Sequence, residues 1–147
     1  MATSAIAVGR PHTPGSPLNT PITPATSYAA GGDVDYAVGK ARDSNPTLTS
    51  VEDIVGALEG GPAVAFGSGM AAIDAGFTVL LDRVGLPCPR IARPHVHYAG
   101  STGLLGHWAH TGRVTLVEYA AGDPRSAVAA ASTCDVLLVE SPVNPTM

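Results

Sequence analysis

Apolar positions at helical spacing begin at Ser50. Val51, Ile54, Val55 and Leu58 recur at that period, and Ser50 is a good N-cap. Glu52 and Asp53 fall in the first turn, and the Gly60-Gly61 pair supplies the stop. Past Pro62, Ala63-Val-Ala-Phe66 reads as a short apolar strand and Gly67-Ser-Gly69 as a turn. Met70 to about Arg83 reads as a helix that is apolar almost all round. Arg90-Ile-Ala-Arg93 is a weak strand signal, and Tyr98 to His110 reads as helical. Arg113-Val-Thr-Leu-Val-Glu118 predicts a strand, Pro124 to Ser132 an alanine-rich helix, and Asp135-Val-Leu-Leu-Val-Glu140 the clearest strand of all. Strand alternating with helix at this spacing predicts an α/β fold, with a parallel sheet covered on both faces.

The first 48 residues have another texture. Pro11, Pro14, Pro17, Pro21, Pro24 and Pro46 are interleaved with Gly, Ser and Thr. Each proline fixes φ and removes a backbone donor, so an extended arm is expected, either disordered or laid across a partner surface. The expected organisation is thus an arm over 1–48 and the first part of an α/β domain over 49–147. The sequence reaches Met147 shortly after Glu140-Ser-Pro-Val-Asn-Pro145, which reads as a sheet cut mid-way.

Composition narrows the function classes. With 147 residues, 45% of them hydrophobic and 14% charged, the chain can build one domain with a core. Net charge is −4 and the eight Lys and Arg are scattered, so no basic stripe exists for nucleic acid. The residues before Pro17 lack an apolar core of signal-peptide length, and no apolar run spans a bilayer. A soluble, cytoplasmic protein is expected. Cys88 and Cys134 lack CxxC spacing and are expected as buried free thiols. His95 and His97 have no Cys or carboxylate partner at ligand spacing, so no metal is expected.

Several positions carry candidate chemistry. Ala65-Phe-Gly-Ser-Gly-Met70 would bring free backbone N–H groups to a helix N-terminus, where the dipole favours an anion. A strand-to-helix turn of small residues is also a common structural device. Arg42, before Asn45-Pro-Thr47, can fork two donors onto a phosphate or simply be solvated ahead of a turn. Tyr98 is either an aromatic plate at a strand end or core filler. Asn144 follows a strand C-terminus, the edge where open parallel sheets bind ligands, yet it is also an ordinary residue between two prolines.

The order of the pieces says more than any one of them. Arg42-Asp-Ser-Asn-Pro-Thr47, Leu58-Glu-Gly-Gly61, Ser68-Gly-Met-Ala-Ala72, Tyr98-Ala-Gly-Ser101 and Glu140-Ser-Pro-Val-Asn-Pro145 follow one another along residues 18 to 147. This series resembles the Cys/Met-metabolism enzymes that depend on pyridoxal phosphate, the cystathionine γ-synthases and γ- and β-lyases and methionine γ-lyases. The resemblance implies a PLP-dependent transferase fold of type I, represented by its N-terminal arm and the first half of its large domain. It implies that the Gly69 and Met70 amides hold the cofactor phosphate. Tyr98 would stack on the pyridine ring and assist proton transfer, and Asn144 would hydrogen-bond the ring's 3-hydroxyl oxygen. Arg42 would reach into a neighbouring subunit and bind its cofactor phosphate, in a dimer or dimer-built tetramer with shared sites.

Two departures qualify what the resemblance implies. Lys40 stands where family members usually carry a tyrosine that makes a second phosphate contact; an ammonium there can serve as a point charge. Lys40 is also the only lysine, whereas these enzymes hold their cofactor as a Schiff base on a lysine further along the chain. The family's aspartate for the pyridine nitrogen, its arginine for the substrate carboxylate and its C-terminal domain also lie beyond the matching region. The expectation is an N-terminal fragment of a transsulfuration enzyme acting on a sulfur amino acid, of γ-synthase or γ-lyase type, inactive without a complementing chain. The rival is a non-catalytic subunit or pseudoenzyme docked on an intact paralogue. A nucleotide-binding domain is weaker, because no Gly-x-Gly-x-x-Gly and no phosphate-loop lysine follows residue 66.

Overall fold

The structure is a computed structural model and describes residues 7, 8, 10, 13–25 and 45–143. Residue contacts divide the chain into two units, Met1–Ala65 and Phe66–Met147.

The first unit is organised by helix α1, Pro46–Glu59. It starts four residues before the expected Ser50, because Asn45 is the cap: its side-chain oxygen accepts from the Leu48 amide at 2.9 Å. Pro46 then occupies the first helical position, where its missing N–H costs nothing. Gly60 closes the helix at φ +74°, a left-handed backbone that favours glycine. Glu52 points away from the helix start and accepts from the Ala65 amide at 2.8 Å. The proline-rich stretch is stitched to the first turn: the Thr23 amide donates to Thr47 Oγ1 at 2.8 Å, and Thr20 and Ser50 hydroxyls meet at 2.9 Å. The strand expected at 63–66 is absent. These residues have no ladder partner among the described residues, and an apolar run does not make a strand without one.

The second unit runs α2 (Gly69–Val84), β1 (Arg90–Pro94), α3 (Ala99–His110), β2 (Thr115–Tyr119), α4 (Pro124–Ala131) and β3 (Val136–Leu137). All three strands are parallel, in the order β2-β1-β3. The α/β alternation read from the sequence is therefore present. β1 pairs with β2 from Arg90↔Thr115 to Pro94↔Tyr119, and with β3 at Ile91↔Val136 and Ala92↔Leu137. Successive β1 side chains serve opposite faces. Ile91 joins Phe77, Leu81, Leu105, Trp108 and Val114 beneath α2 and α3, while Ala92 joins Tyr119 and Ala130 beneath α4. The weakest predicted strand is thus the central, most buried one.

The clearest predicted strand is the shortest. Only Val136 and Leu137 form ladder, though the Leu138 amide still donates to the Ala92 carbonyl at 2.8 Å. Among the described residues β3 pairs with β1 alone, and Leu137 and Val139 are partly in solvent. The α2 helix is also less enclosed than its composition predicts: Phe77 and Leu81 are buried, while Val79 and Leu80 are exposed. Cys134 is partly buried, but Cys88 is exposed in the segment before β1, contrary to expectation; both thiols are free. No helix among the described residues is long and apolar enough to cross a membrane.

Candidate functional site

The site is built where α2 begins and where the chain leaves the C-terminal ends of β1 and β3. Ser68, in extended backbone, caps α2 through its hydroxyl, which accepts from the Ala71 amide at 3.2 Å. The Ala72 amide is taken by the Ser68 carbonyl at 3.2 Å. The Gly69 and Met70 amides come one turn too early for any intrahelical acceptor, so they are the donors left for a ligand. A side chain built on Gly69 would meet nothing within 4 Å, so the backbone there is open to close approach. Two free donors at the positive end of a 16-residue helix suit a phosphate.

Tyr98 is brought to the same place by the turn after β1. It precedes α3, its amide donates to Glu140 Oε2 at 3.0 Å, and its ring is half exposed. Gly100 decides the ring's position. A Cβ there would lie 2.5 Å from both Met70 Sδ and Tyr98 Cε1, so the missing side chain leaves room for both. Beside Tyr98 opens a cleft of about 470 Å³, lined by Ile73, Phe77, Leu80, Leu138 and Glu140 among others.

The structure thus brings Gly69, Met70 and Tyr98 together. Arg42, Lys40 and Asn144 lie outside the described residues. Sequence reasoning missed Glu140 as the acceptor holding Tyr98, although it opens the Glu-Ser-Pro motif. It also missed Gly100 as the spacer, although that glycine stands inside Tyr-Ala-Gly-Ser.

The two histidines make hydrogen bonds within and around the loop that follows β1. Among the described residues, no three His, Cys, Asp or Glu groups could hold a metal ion together. His95 Nδ1 accepts from the Ala121 amide at 3.0 Å. His97 is buried against Arg93, whose other terminal nitrogen pairs with Glu118 at 2.6 Å. Burial and the neighbouring Arg93 cation hold the His97 imidazole below its ordinary range.

A family model described as Cys/Met metabolism PLP-dependent enzyme matches residues 2–147. The chain belongs to this family. Pyridoxal phosphate is therefore its expected cofactor. Solved structures agree. Cystathionine gamma synthase from Xanthomonas oryzae pv. oryzae, in complex with cystathionine, is similar at 29% identity and a TM-score of 0.77 over 98% of this chain. metB from Corynebacterium glutamicum is similar at 29% identity and a TM-score of 0.78, also over 98% of this chain. Cystathione gamma lyase (CalE6) from Micromonospora echinospora is similar at 27% identity and a TM-score of 0.73 over 97%. The chain spans only 37 to 38% of the length of these relatives. Among proteins of curated function, none matches the sequence.

The residues at hand fit part of this family's cofactor. Two unpaired amides over an open backbone suit its phosphate, and a half-exposed aromatic ring suits its pyridine face.

Proposed function

We propose that this chain is the N-terminal part of a pyridoxal-phosphate enzyme of transsulfuration, acting on a sulfur amino acid in the manner of a cystathionine γ-synthase or γ-lyase. The observation that carries this reading is the convergence of Met70 and Tyr98 on Gly100, beside two free helix-start amides. In this reading the Gly69 and Met70 N–H groups bind the phosphate, and the Tyr98 ring orients the pyridine. The Tyr98 hydroxyl would carry a proton to or from the substrate. Arg42 and Lys40 would add cationic contacts to a phosphate, those of Arg42 across a subunit boundary, and Asn144 would donate to the ring's 3-hydroxyl oxygen. With the cofactor bound, the chemistry supplied is an electron sink for elimination or replacement at the β or γ carbon.

Lys40, the only lysine, lies in the arm, so we assign this chain the cradle and not the anchor of the cofactor. Turnover then requires a complementing chain or domain that supplies a Schiff-base lysine, in an oligomer with shared sites. The one-sided pairing of β3 and the apolar cleft between its end and α2 support such a complement. Equilibrium dialysis with pyridoxal phosphate and with pyridoxal tests the cradle. Tighter binding of the phosphorylated form, weakened by Tyr98→Ala, is expected; equal binding of both forms would count against it.

A further inference from the structure

His97 stands behind the site. Its side chain is only 7% exposed, and each ring nitrogen has a defined neighbour. Nδ1 lies 2.9 Å from the Pro94 carbonyl, so this nitrogen carries the proton. Nε2 faces Arg93 Nη1 at 3.4 Å and Thr102 Oγ1 at 3.2 Å. A guanidinium only donates, so the Arg93 contact requires a bare Nε2. The Thr102 hydroxyl lies 3.2 Å from both Nε2 and the Tyr98 carbonyl, so when its proton is turned to Nε2 the neutral ring ties the end of β1 to the first turn of α3. Between those two points lie only residues 95–98, ending in Tyr98.

The charges facing this imidazole come from three elements. Arg93 lies on β1, Glu118 on β2, and Glu140 follows β3. Glu118 is engaged by Arg93 at 2.6 Å, and Glu140 accepts from the Tyr98 amide. The nearest charge to Nε2 is thus the Arg93 cation, and a proton on Nε2 would replace an attraction with repulsion. Burial of the ring works in the same direction.

We propose that His97 is a positioning residue for Tyr98: as a neutral ring it locks residues 95–98 and keeps Tyr98 beside Gly100, and on protonation it releases them. The proposal rests on the reading of Gly69, Met70 and Tyr98 as a pyridoxal-phosphate cradle.

The test measures pyridoxal-phosphate affinity of the full chain by equilibrium dialysis, in wild type and His97→Gln, at about pH 7.5 and about pH 5.5. Glutamine can still accept from Arg93 and has no proton to gain. The wild-type Kd is expected to rise more steeply on acidification than that of the variant, by up to about tenfold per pH unit for one linked proton. The cofactor's own titration is common to both chains. Equal pH dependence would overturn the proposal. A second measurement needs neither the variant nor the ligand: in an NMR titration of the free wild-type chain, the Tyr98 ring signals should move with the His97 midpoint, below 6.5. Tyr98 signals that stay fixed through that titration would overturn it. A wild-type chain that binds no pyridoxal phosphate at the higher pH defeats the cradle reading alone, and the NMR titration then decides the role of His97.

Discussion

Met70 and Tyr98, 28 positions apart in sequence, converge on the space left by a single missing side chain, that of Gly100. The first residues of α2 and the turn after β1 are thereby held as one surface. The sulfur and the ring edge are both far ends of flexible side chains, so either can be displaced without unfolding the sheet.

Gly100→Ala should therefore separate binding from stability. The new methyl displaces the Tyr98 ring or Met70, while alanine gains up to about 1 kcal/mol of helix propensity in α3. Thermal melting should change little. Loss of a ring contact of about 1.4 kcal/mol corresponds to about tenfold weaker pyridoxal-phosphate binding, measured by dialysis.

Leu105 tests the core. It is completely buried between α3 and β1, in the cluster with Phe77, Trp108 and Ile91. Phe77 and Trp108 meet edge-on at 6.3 Å, and the Arg113 guanidinium covers the indole at 4.1 Å. With its neighbours so fixed, the site collapses poorly on truncation. Leu105→Ala should cost about 2–5 kcal/mol, read from the urea midpoint.

Tyr119 links β2 to the segment after β3, since its hydroxyl donates to the Leu138 carbonyl at 2.7 Å. That bond crosses the central strand and supports the backbone leading to Glu140. Tyr119→Phe should cost about 1 kcal/mol in the same denaturation experiment. It should also broaden the Tyr98 amide signal, because Glu140 is that amide's acceptor.

Stability should fall on mild acidification. His97 has a folded-state pKa below the unfolded 6.5, so the unfolded chain binds the proton more readily. The contribution is present above 6.5 and is lost as pH falls through the lower folded value. Urea midpoints measured on either side of 6.5 should show the drop, and His97→Gln should remove that part of it.

The sequence made the helices legible and misjudged the strands, for a physical reason. Helix ends carry local chemistry: Gly60 and Gly85 sit at left-handed caps, and Ser68 and Asp123 accept from amides a few residues on. Even the misplaced start of α1 was signalled by Asn45-Pro46, read as a turn instead of a cap and first helical residue. Strand length depends on partners that lie far away in sequence. Ala63–Phe66 and Asp135–Glu140 have the composition of strands, but the first has no ladder among the described residues and the second has it on one side. Arg90–Pro94, with charges at two of five positions, is buried on both faces because α2, α3 and α4 cover it.

The site divides in the same way. The placement of Gly69 and Met70 at a helix start and of Tyr98 after a strand was legible, because small residues before a helix and a tyrosine after a strand are local patterns. Glu140 and His97 were not legible as supports, since their roles arise from contacts to Tyr98 and Arg93 that only the folded sheet creates.

The central claim, a cofactor cradle without its anchor, is tested most directly by trapping. The purified chain would be equilibrated with pyridoxal phosphate, treated with borohydride, dialysed, and mapped by peptide mass spectrometry. Reversible binding that phosphate competes away, with Lys40 left unmodified, is the predicted result. A reduced cofactor adduct on Lys40 would contradict the claim by making the chain its own anchor, and absence of any binding would contradict the cradle.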